Sequence, residues 1–435
     1  MKAVDNPEKT GYTFLRKKAS REKDRILPGF QGALDPGMAI QEAESMSVQA
    51  KRLDHFEEGI FSSIERKVVA YQQQGREVFN LSVGTPDFHP PEQVMQVLSQ
   101  AALKPENYRY TLRDYPELRQ AVAEYYLRRY GTAIDGSTEV VAVHGTQEGM
   151  GHLGMALCNP GDVVLLPNPG YPVFEAGVWL GEADLQFYPM TRENHFLPRL
   201  EAIPPETWRR TKYIVTSYPS NPTGAIAPRS FYEELIAYAK RYHFYIINDN
   251  AYSDIVFTEG SGFSFLSIPG AKEVGAEFFS LSKSFNLTGA RLSFFVGNRE
   301  LVSALSLLRS QLDFGIFLPL QLAAVEALRV PRQYVLDQCQ EYRKRRDALC
   351  NGLREAGWPV EDSQGTMFVF AKLPKRWEGC SAAFCEALVD ACGVVCTPGA
   401  AFGSLGEGYV RFALVRPPQE LARIAQYIGA SGLLA

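Results

Sequence analysis

The sequence predicts an α/β fold, with a mostly parallel central sheet covered by helices on both faces and a smaller α+β unit beside it. Three observations carry this. Between Thr138 and Asn298 short apolar runs alternate with helical patterns, the texture of a doubly covered parallel sheet. Past Asn298 the pattern changes to long helices followed by two further apolar runs. Polar residues able to do chemistry stand just after the apolar runs, which is where sheets of this kind bind ligands.

Taken in order, Arg52 to Ala70 reads as an amphipathic helix on Phe56, Ile60, Phe61, Ile64 and Val68. A strand is expected from Val78 to Gly84, then a proline-rich turn over 85–91 and a helix start at Pro91 and Glu92. Strands are expected at 139–143, 162–166, 185–188, 212–216, 244–248, 277–281 and 292–296, with helices such as 147–157 and 230–242 between them. Helices follow at 299–312, 320–328 and 334–355, then strands at 366–371 and 409–414 and helices at 381–391 and 419–428. The expected organisation is an N-terminal extension, 1–52, a large domain, 79–316, and a small domain built from 53–78 and 317–435. The extension lacks sustained periodicity and reads as partly ordered or draped over a partner subunit.

Composition bounds the function. A chain of 435 residues, 46% hydrophobic and 22% charged, has room for two domains and a large core. Its net charge of −4 gives no reason to expect a nucleic acid or an anionic membrane as partner. No apolar run approaches the ~20 residues that span a bilayer, and the N-terminus lacks the apolar core of a signal peptide. The seven cysteines form no Cys-x-x-Cys pair, so free thiols in a reducing cytoplasm are expected. The spacings of Cys380, Cys385, Cys392 and Cys396 do not match a zinc site, and no metal is expected.

The chemistry centres on Lys283, which lies between two apolar runs at 276–279 and 292–296. An ammonium between buried strands must be solvated, paired or used. Ser280, Ser282 and Arg291 around it are suited to hold a phosphate, and a desolvated lysine near cationic charge forms Schiff bases with carbonyls. Pyridoxal 5′-phosphate is the cofactor that fits both properties. Other strand ends agree. Gly145, Thr146 and Gln147 open a helix whose N-terminus can receive an anion. Tyr171 offers a face on which a flat ring can stack, with plain packing as the alternative. Asn221, in a proline-rich turn, and Tyr252 can bond a ring oxygen, and Asp249 can pair with a protonated ring nitrogen. A simple turn is the plainer reading of Asn221, and a helix cap or a salt bridge to the scaffold that of Asp249. A rival Gly-x-Gly-x-x-Gly pattern, Gly149, Gly151 and Gly154, lies inside the predicted helix, and the next strand ends without the acid a dinucleotide ribose requires.

These motifs, Ser-Asn-Pro-Thr-Gly at 220–224, Asn-Asp-Asn-Ala-Tyr at 248–252 and Ser-Leu-Ser-Lys-Ser-Phe-Asn-Leu-Thr-Gly-Ala-Arg at 280–291, resemble those of the class I/II aminotransferases, fold-type I pyridoxal-phosphate enzymes, over about 53–431. The stretch 269–283 is most similar to LL-diaminopimelate, alanine and aspartate aminotransferases of bacterial and archaeal type. The resemblance implies that Lys283 carries the cofactor and moves the proton, that Asp249 holds the ring nitrogen, and that Asn221 and Tyr252 bond the ring oxygen. By the same likeness Tyr171 stacks on the ring, and Thr146, Gln147, Ser280, Ser282 and Arg291 hold the phosphate. It implies further that Tyr110 reaches that phosphate from the other subunit of a homodimer, that Arg411 clamps the substrate carboxylate, and that Gly84 lies beside it. The sequence departs from the pattern at Ala290, where many relatives have tryptophan, and at Asp114 and Tyr115 before Pro-Glu-Leu-Arg. The expected activity is transfer of an amino group from an L-amino acid to a 2-oxo acid. A lyase on the same scaffold, such as a C–S β-lyase, is the alternative. A regulator with an aminotransferase-like sensor would need a helix-turn-helix domain ahead of the fold, and the first 50 or so residues show no such pattern.

Overall fold

The computed structural model describes residues 48–434 apart from 57–59 and 259–261. By contacts the chain divides into Met1–Gln49 and Ala50–Ala435, and the elements described all belong to the second unit. The N-terminal extension lies outside the described residues as far as position 47.

A short 3-10 turn, Lys51–His55, is followed by helix α1 (Ile60–Gln73), strand β1 (Phe79–Asn80) and helices α2 (Glu92–Ala102) and α3 (Pro116–Tyr130). The main sheet then builds from β2 (Val140–Val143), β3 (Val163–Asn168), β4 (Asp184–Pro189), β5 (Thr211–Ser217), β6 (Tyr245–Asp249), β7 (Gly275–Ser280) and β8 (Ser293–Gly297). Helices α4 (Thr146–Leu157), α5 (Val173–Leu180), α6 (Pro205–Arg210), α7 (Arg229–Tyr242), α8 (Ala271–Val274) and α9 (Leu281–Ser284) lie between these strands. Helices α10 (Arg299–Leu312), α11 (Leu318–Arg329) and α12 (Arg332–Glu355) lead to β9 (Phe368–Lys372), α13 (Ser381–Cys392), β10 (Val394–Val395), β11 (Thr397–Pro398), β12 (Tyr409–Ala413) and α14 (Pro418–Ala430).

The seven-stranded sheet has the order β2-β8-β7-β6-β5-β3-β4. All its pairs are parallel except the two made by β8, which runs against β2 and β7. Its strands are buried on both faces, so they read as unbroken apolar runs whose alternate residues enter different cores. On β6 and β7, Ile246 and Phe279 enter the core shared with α3, α7 and α11, whereas Ile247 and Phe278 enter the core shared with α4, α5 and α10. Burying each of these side chains contributes about 2–3 kcal/mol. The three glycines of the rival dinucleotide pattern lie within α4, as expected. A Cβ on Gly154 would sit 1.7 Å from the Gly177 carbonyl oxygen, so one function of the pattern is to let α4 and α5 touch backbone to backbone. A second core gathers α12, α13, α14 and the antiparallel sheet β11-β12-β9.

Two expectations are corrected. The strand over 78–84 shrinks to Phe79–Asn80, which pairs in parallel with β10. Asn80 ends it, because its Oδ1 accepts from both the backbone N–H and the hydroxyl of Ser82 and turns the chain. The helix expected from Arg52 begins as the exposed turn at 51–55, and the α-helix proper starts at Ile60. Phe79 and Leu81 enter the second core, and α11 packs its buried face into the first.

Candidate active site

Strand direction decides which residues meet. The C-terminal ends of β2, β5, β6 and β7 share one edge of the sheet, and β8, running the other way, places its N-terminus there. Register makes this explicit: Ser217 lies beside Asp249, and Ser293 lies beside both Ser280 and Val143. A cleft of ≈ 330 Å³ opens at that edge, lined by residues from Val83 to Arg411. Among the described residues another cavity of ≈ 330 Å³ lies between Arg192, Trp358 and Tyr409, and a wider groove of ≈ 920 Å³ runs along α10. Neither brings together a lysine, an acid and an anion cradle of the kind found at the strand ends.

The cradle is built from the turn after β2 and the segment before β8. Gly145 has φ of 88°, a left-handed conformation that glycine adopts without cost. A Cβ there would lie 2.5 Å from Nη2 of Arg291, so glycine also lets the guanidinium rest against the turn. Thr146 and Gln147 start α4 and line the cleft with their helix N-terminus, an anion-binding geometry. Across from them, the Ser280 hydroxyl accepts from the backbone N–H of Ser282 at 3.2 Å and from the Ser293 hydroxyl at 3.0 Å, and Thr146 donates to Ser293 at 3.3 Å. Arg291 Nη1 donates to the Thr288 carbonyl at 3.2 Å.

Lys283 stands on the single turn α9, and its Nζ donates to the Gly84 carbonyl at 2.6 Å. Burial, reinforced by Arg411 and Arg291, lowers its pKa to about 8, with Asp249 opposing. Asp249 ends β6, accepts from the Ala251 N–H at 3.3 Å and makes no salt bridge among the described residues. Burial raises its pKa to about 7. Tyr171 and Tyr252 line the cleft, and burial pushes both phenols upward.

Arg411 is 1% exposed. Its Nη1 donates to Asn221 Oδ1 at 2.8 Å, and its Nη2 donates to the Ser82 carbonyl at 2.7 Å and to Thr397 Oγ1 at 3.4 Å. The guanidinium carbon lies 4.1 Å from the ring centre of Phe368 and 4.6 Å from that of Phe402. Burial lowers its pKa to about 10. The Asn221 oxygen is thus taken by Arg411, which leaves its amide nitrogen to donate into the cleft.

All the single-chain candidates, Gly84, Gly145, Thr146, Gln147, Tyr171, Asn221, Asp249, Tyr252, Ser280, Ser282, Lys283, Arg291 and Arg411, therefore gather around one cleft. Tyr110 does not join them; it is 86% exposed, with its ring edge against Phe314. Sequence reasoning missed Ser293, Thr288 and Phe368. A lone hydroxyl inside the run Leu292–Val296 was the available signal for Ser293. Phe368 lies so close to Gly84 that a Cβ there would come within 2.4 Å of its ring, so Gly84 and Phe368 fit only as a pair. The whole fits pyridoxal phosphate. The cradle suits a phosphate, Asp249 a protonated ring nitrogen, and Lys283 a carbonyl carbon.

Comparison with known proteins agrees. The family described as aminotransferase class I and II matches residues 76–428. The chain is 38% identical over 386 residues to LL-diaminopimelate aminotransferase of Moorella thermoacetica, covering 88% of this chain and 98% of that one. It is 37% identical over 389 residues to the glutamate-pyruvate aminotransferase AlaC of Escherichia coli, covering 88% and 94%. The structure of BacF from Bacillus subtilis superposes with a TM-score of 0.86 at 34% identity, covering 90% of this chain and 100% of that one.

Proposed function

Since the chain belongs to the class I and II aminotransferase family, we propose that the strand-end cleft is where it transfers amino groups and that the residues gathered there carry the reaction. The protein is a fold-type I, pyridoxal-phosphate-dependent aminotransferase acting on amino acids and 2-oxo acids. The named relatives are aminotransferases, and nothing among them favours the lyase alternative. The observation that carries the site is the meeting of Lys283, Asp249, Arg411 and the Gly145–Arg291 cradle in one cavity of ≈ 330 Å³.

Pyridoxal phosphate, when bound, supplies an electrophilic carbonyl carbon and an electron-withdrawing ring that lets a substrate Cα lose its proton. The chain's own groups do the rest. Thr146, Gln147, Ser280, Ser282 and Arg291, with the Gly145 turn, hold the phosphate by helix N–H, hydroxyl and guanidinium donors. Asp249 holds the ring nitrogen; its raised affinity for protons favours sharing one with that nitrogen. Asn221 and Tyr252 donate to the ring oxygen, and Tyr171 covers a ring face. Arg411 clamps the substrate α-carboxylate in a bidentate pair, with Gly84 leaving room beside it. Lys283, with a pKa of about 8, is available as a neutral amine at mildly alkaline pH, able to take the proton from the substrate Cα and deliver it to what was the carbonyl carbon of the cofactor, across the intervening nitrogen.

The site is shared between two copies in this reading. Tyr110, with Tyr108, Leu112, Phe314 and Phe317, forms an exposed apolar patch of the kind that a protein partner covers. A second copy seated on this patch would receive Tyr110 at its phosphate cradle, as the sequence resemblance implies. We place the enzyme in the cytoplasm. All seven cysteines are free thiols, the state a reducing compartment maintains. No helix among the described residues is long and apolar enough to cross a membrane.

The amino donor is LL-diaminopimelate, alanine, aspartate or glutamate, the range that the relatives' names and the sequence resemblance suggest. A screen of these donors against 2-oxoglutarate and pyruvate identifies the pair. Formation of the matching amino acid is expected for at least one combination. Release of ammonia and pyruvate from a β-substituted amino acid, with no transfer from any donor, would contradict the reading.

A further inference from the structure

Strand β7 carries a carboxyl that the reaction above does not use. Glu277 is fully buried and lies in register with Asn248 on β6. Five donors converge on it. Oε1 accepts from the hydroxyl of Tyr126 at 2.9 Å, from Asn250 Nδ2 at 3.2 Å and from the Ser264 hydroxyl at 2.5 Å. Oε2 accepts from Asn248 Nδ2 at 3.2 Å and from the Phe265 N–H at 3.1 Å. Among the described residues no arginine or lysine pairs with it. Three of the five donors are N–H groups that cannot accept, so the site is shaped for an ionised carboxylate. Burial raises the pKa of Glu277 above the usual carboxylate value, and the hydrogen bonds from Ser264, Tyr126, Asn248 and Asn250 hold that rise down. A buried anion surrounded by neutral donors keeps a negative potential that no countercharge cancels.

The residues it grips are informative. Asn248 and Asn250 are the two neighbours of Asp249 in the chain. Asn248 is held in turn by Thr216 at 3.0 Å and Tyr232 at 2.7 Å, and the Asn250 N–H bonds the Phe278 carbonyl at 2.9 Å. The titratable groups facing Glu277 are Tyr126 and Tyr130 on α3, Tyr232 on α7 and Asp249 on β6. Burial raises all three tyrosines, which stay neutral, so of these groups Asp249 alone changes charge near neutral pH.

We propose that Glu277 is a positioning residue for Asp249: its carboxylate fixes the residues on either side, and its buried charge strengthens the hold of Asp249 on a proton and hence on a protonated ring nitrogen. This rests on the reading that Asp249 faces that nitrogen. The same sheet that aligns the strand ends also supplies, one strand over, the charge that tunes one of them.

Two variants test it on the full chain. Glu277→Gln removes the charge but turns an amide N–H₂ toward donors. Tyr126→Phe with Ser264→Ala removes the two hydroxyl donors to Oε1, which raises the carboxyl's own proton affinity and weakens its charge without that clash, and this pair carries the test if Glu277→Gln does not fold. In cofactor-free protein with isotope-labelled aspartate, the infrared titration of Asp249 is identified by its loss in Asp249→Asn. Its midpoint should fall by roughly one pH unit in both designs. In the loaded enzyme kcat should fall about tenfold while KM changes by less than about threefold. An unchanged Asp249 midpoint in a folded variant overturns the proposal. If Asp249→Asn itself turns over normally, it is the reading of the cleft that fails, and the two failures are thereby separated.

Discussion

Replacing Lys283 should make the cofactor-free protein more stable. Lys283 is enclosed beside two guanidinium groups, and its pKa drops from 10.5 to about 8. At ~1.4 kcal/mol per unit, keeping it charged costs the fold roughly 3 kcal/mol. Water in the open cleft screens part of this, and the hydrogen bond to the Gly84 carbonyl, worth ~1 kcal/mol, is lost on substitution. Lys283→Met should therefore stabilise the cofactor-free chain by about 1–2 kcal/mol. The sign with pH follows from the direction of the shift. The folded-state pKa lies below the unfolded one, so the cost is full below about 8, shrinks as pH rises toward 10.5 and is absent above it. Denaturant unfolding of wild type and variant at neutral pH and above pH 10.5 measures both quantities. A variant no more stable at neutral pH, or a gain of equal size at both pH values, would refute the reasoning. Loss of the absorbance of bound cofactor in the same variant checks its chemical role independently.

Asp249 should show the opposite slope, because its pKa is raised from 3.8 to about 7: the stability it contributes is full below 3.8 and lost as pH rises through 7. In the cofactor-free chain Asp249→Asn should flatten stability between pH ~4 and ~7, and with cofactor bound its rate should fall by at least about a hundredfold. Arg411→Lys keeps the charge but loses the fork, so KM for all amino and oxo acids should rise together by about a hundredfold, and an unchanged KM would remove Arg411 from the carboxylate. Mixing Tyr110→Phe chains with Lys283→Ala chains should restore some activity through hybrid sites that are intact at both positions, and mixed dimers without recovery would contradict the shared site.

Much of this was legible in the sequence because buried parallel strands announce themselves as apolar runs and their chemistry follows at once. Asp249 after 244–248 and Lys283 after 276–279 needed no knowledge of partners. What was hidden depends on contacts between distant segments. Ser293 becomes part of the cradle only because β8 runs antiparallel beside Ser280. Phe79 and Leu81 look like the start of the main sheet, yet they enter the second core because β10, more than 300 residues later, supplies the pairing edge. Glu277 reads as a polar interruption of a strand until Asn248 appears opposite it. Tyr110 cannot be placed by one chain, since its ring stands in solvent.

The segment 79–85 has a consequence for the order in which the protein is made. Its carbonyls at Ser82 and Gly84 receive Arg411 and Lys283, so the cleft is closed by residues 329 and 199 positions apart in the chain. Contacts of such sequence separation form late, after the chain has paid most of its loop-closure entropy. A ribosome-bound chain lacking β12 lacks Arg411 and also the Ala413 N–H that holds the Leu81 carbonyl at 2.7 Å. On the proposed reading, the pocket for cofactor and substrate is therefore complete only once the chain has been made through β12.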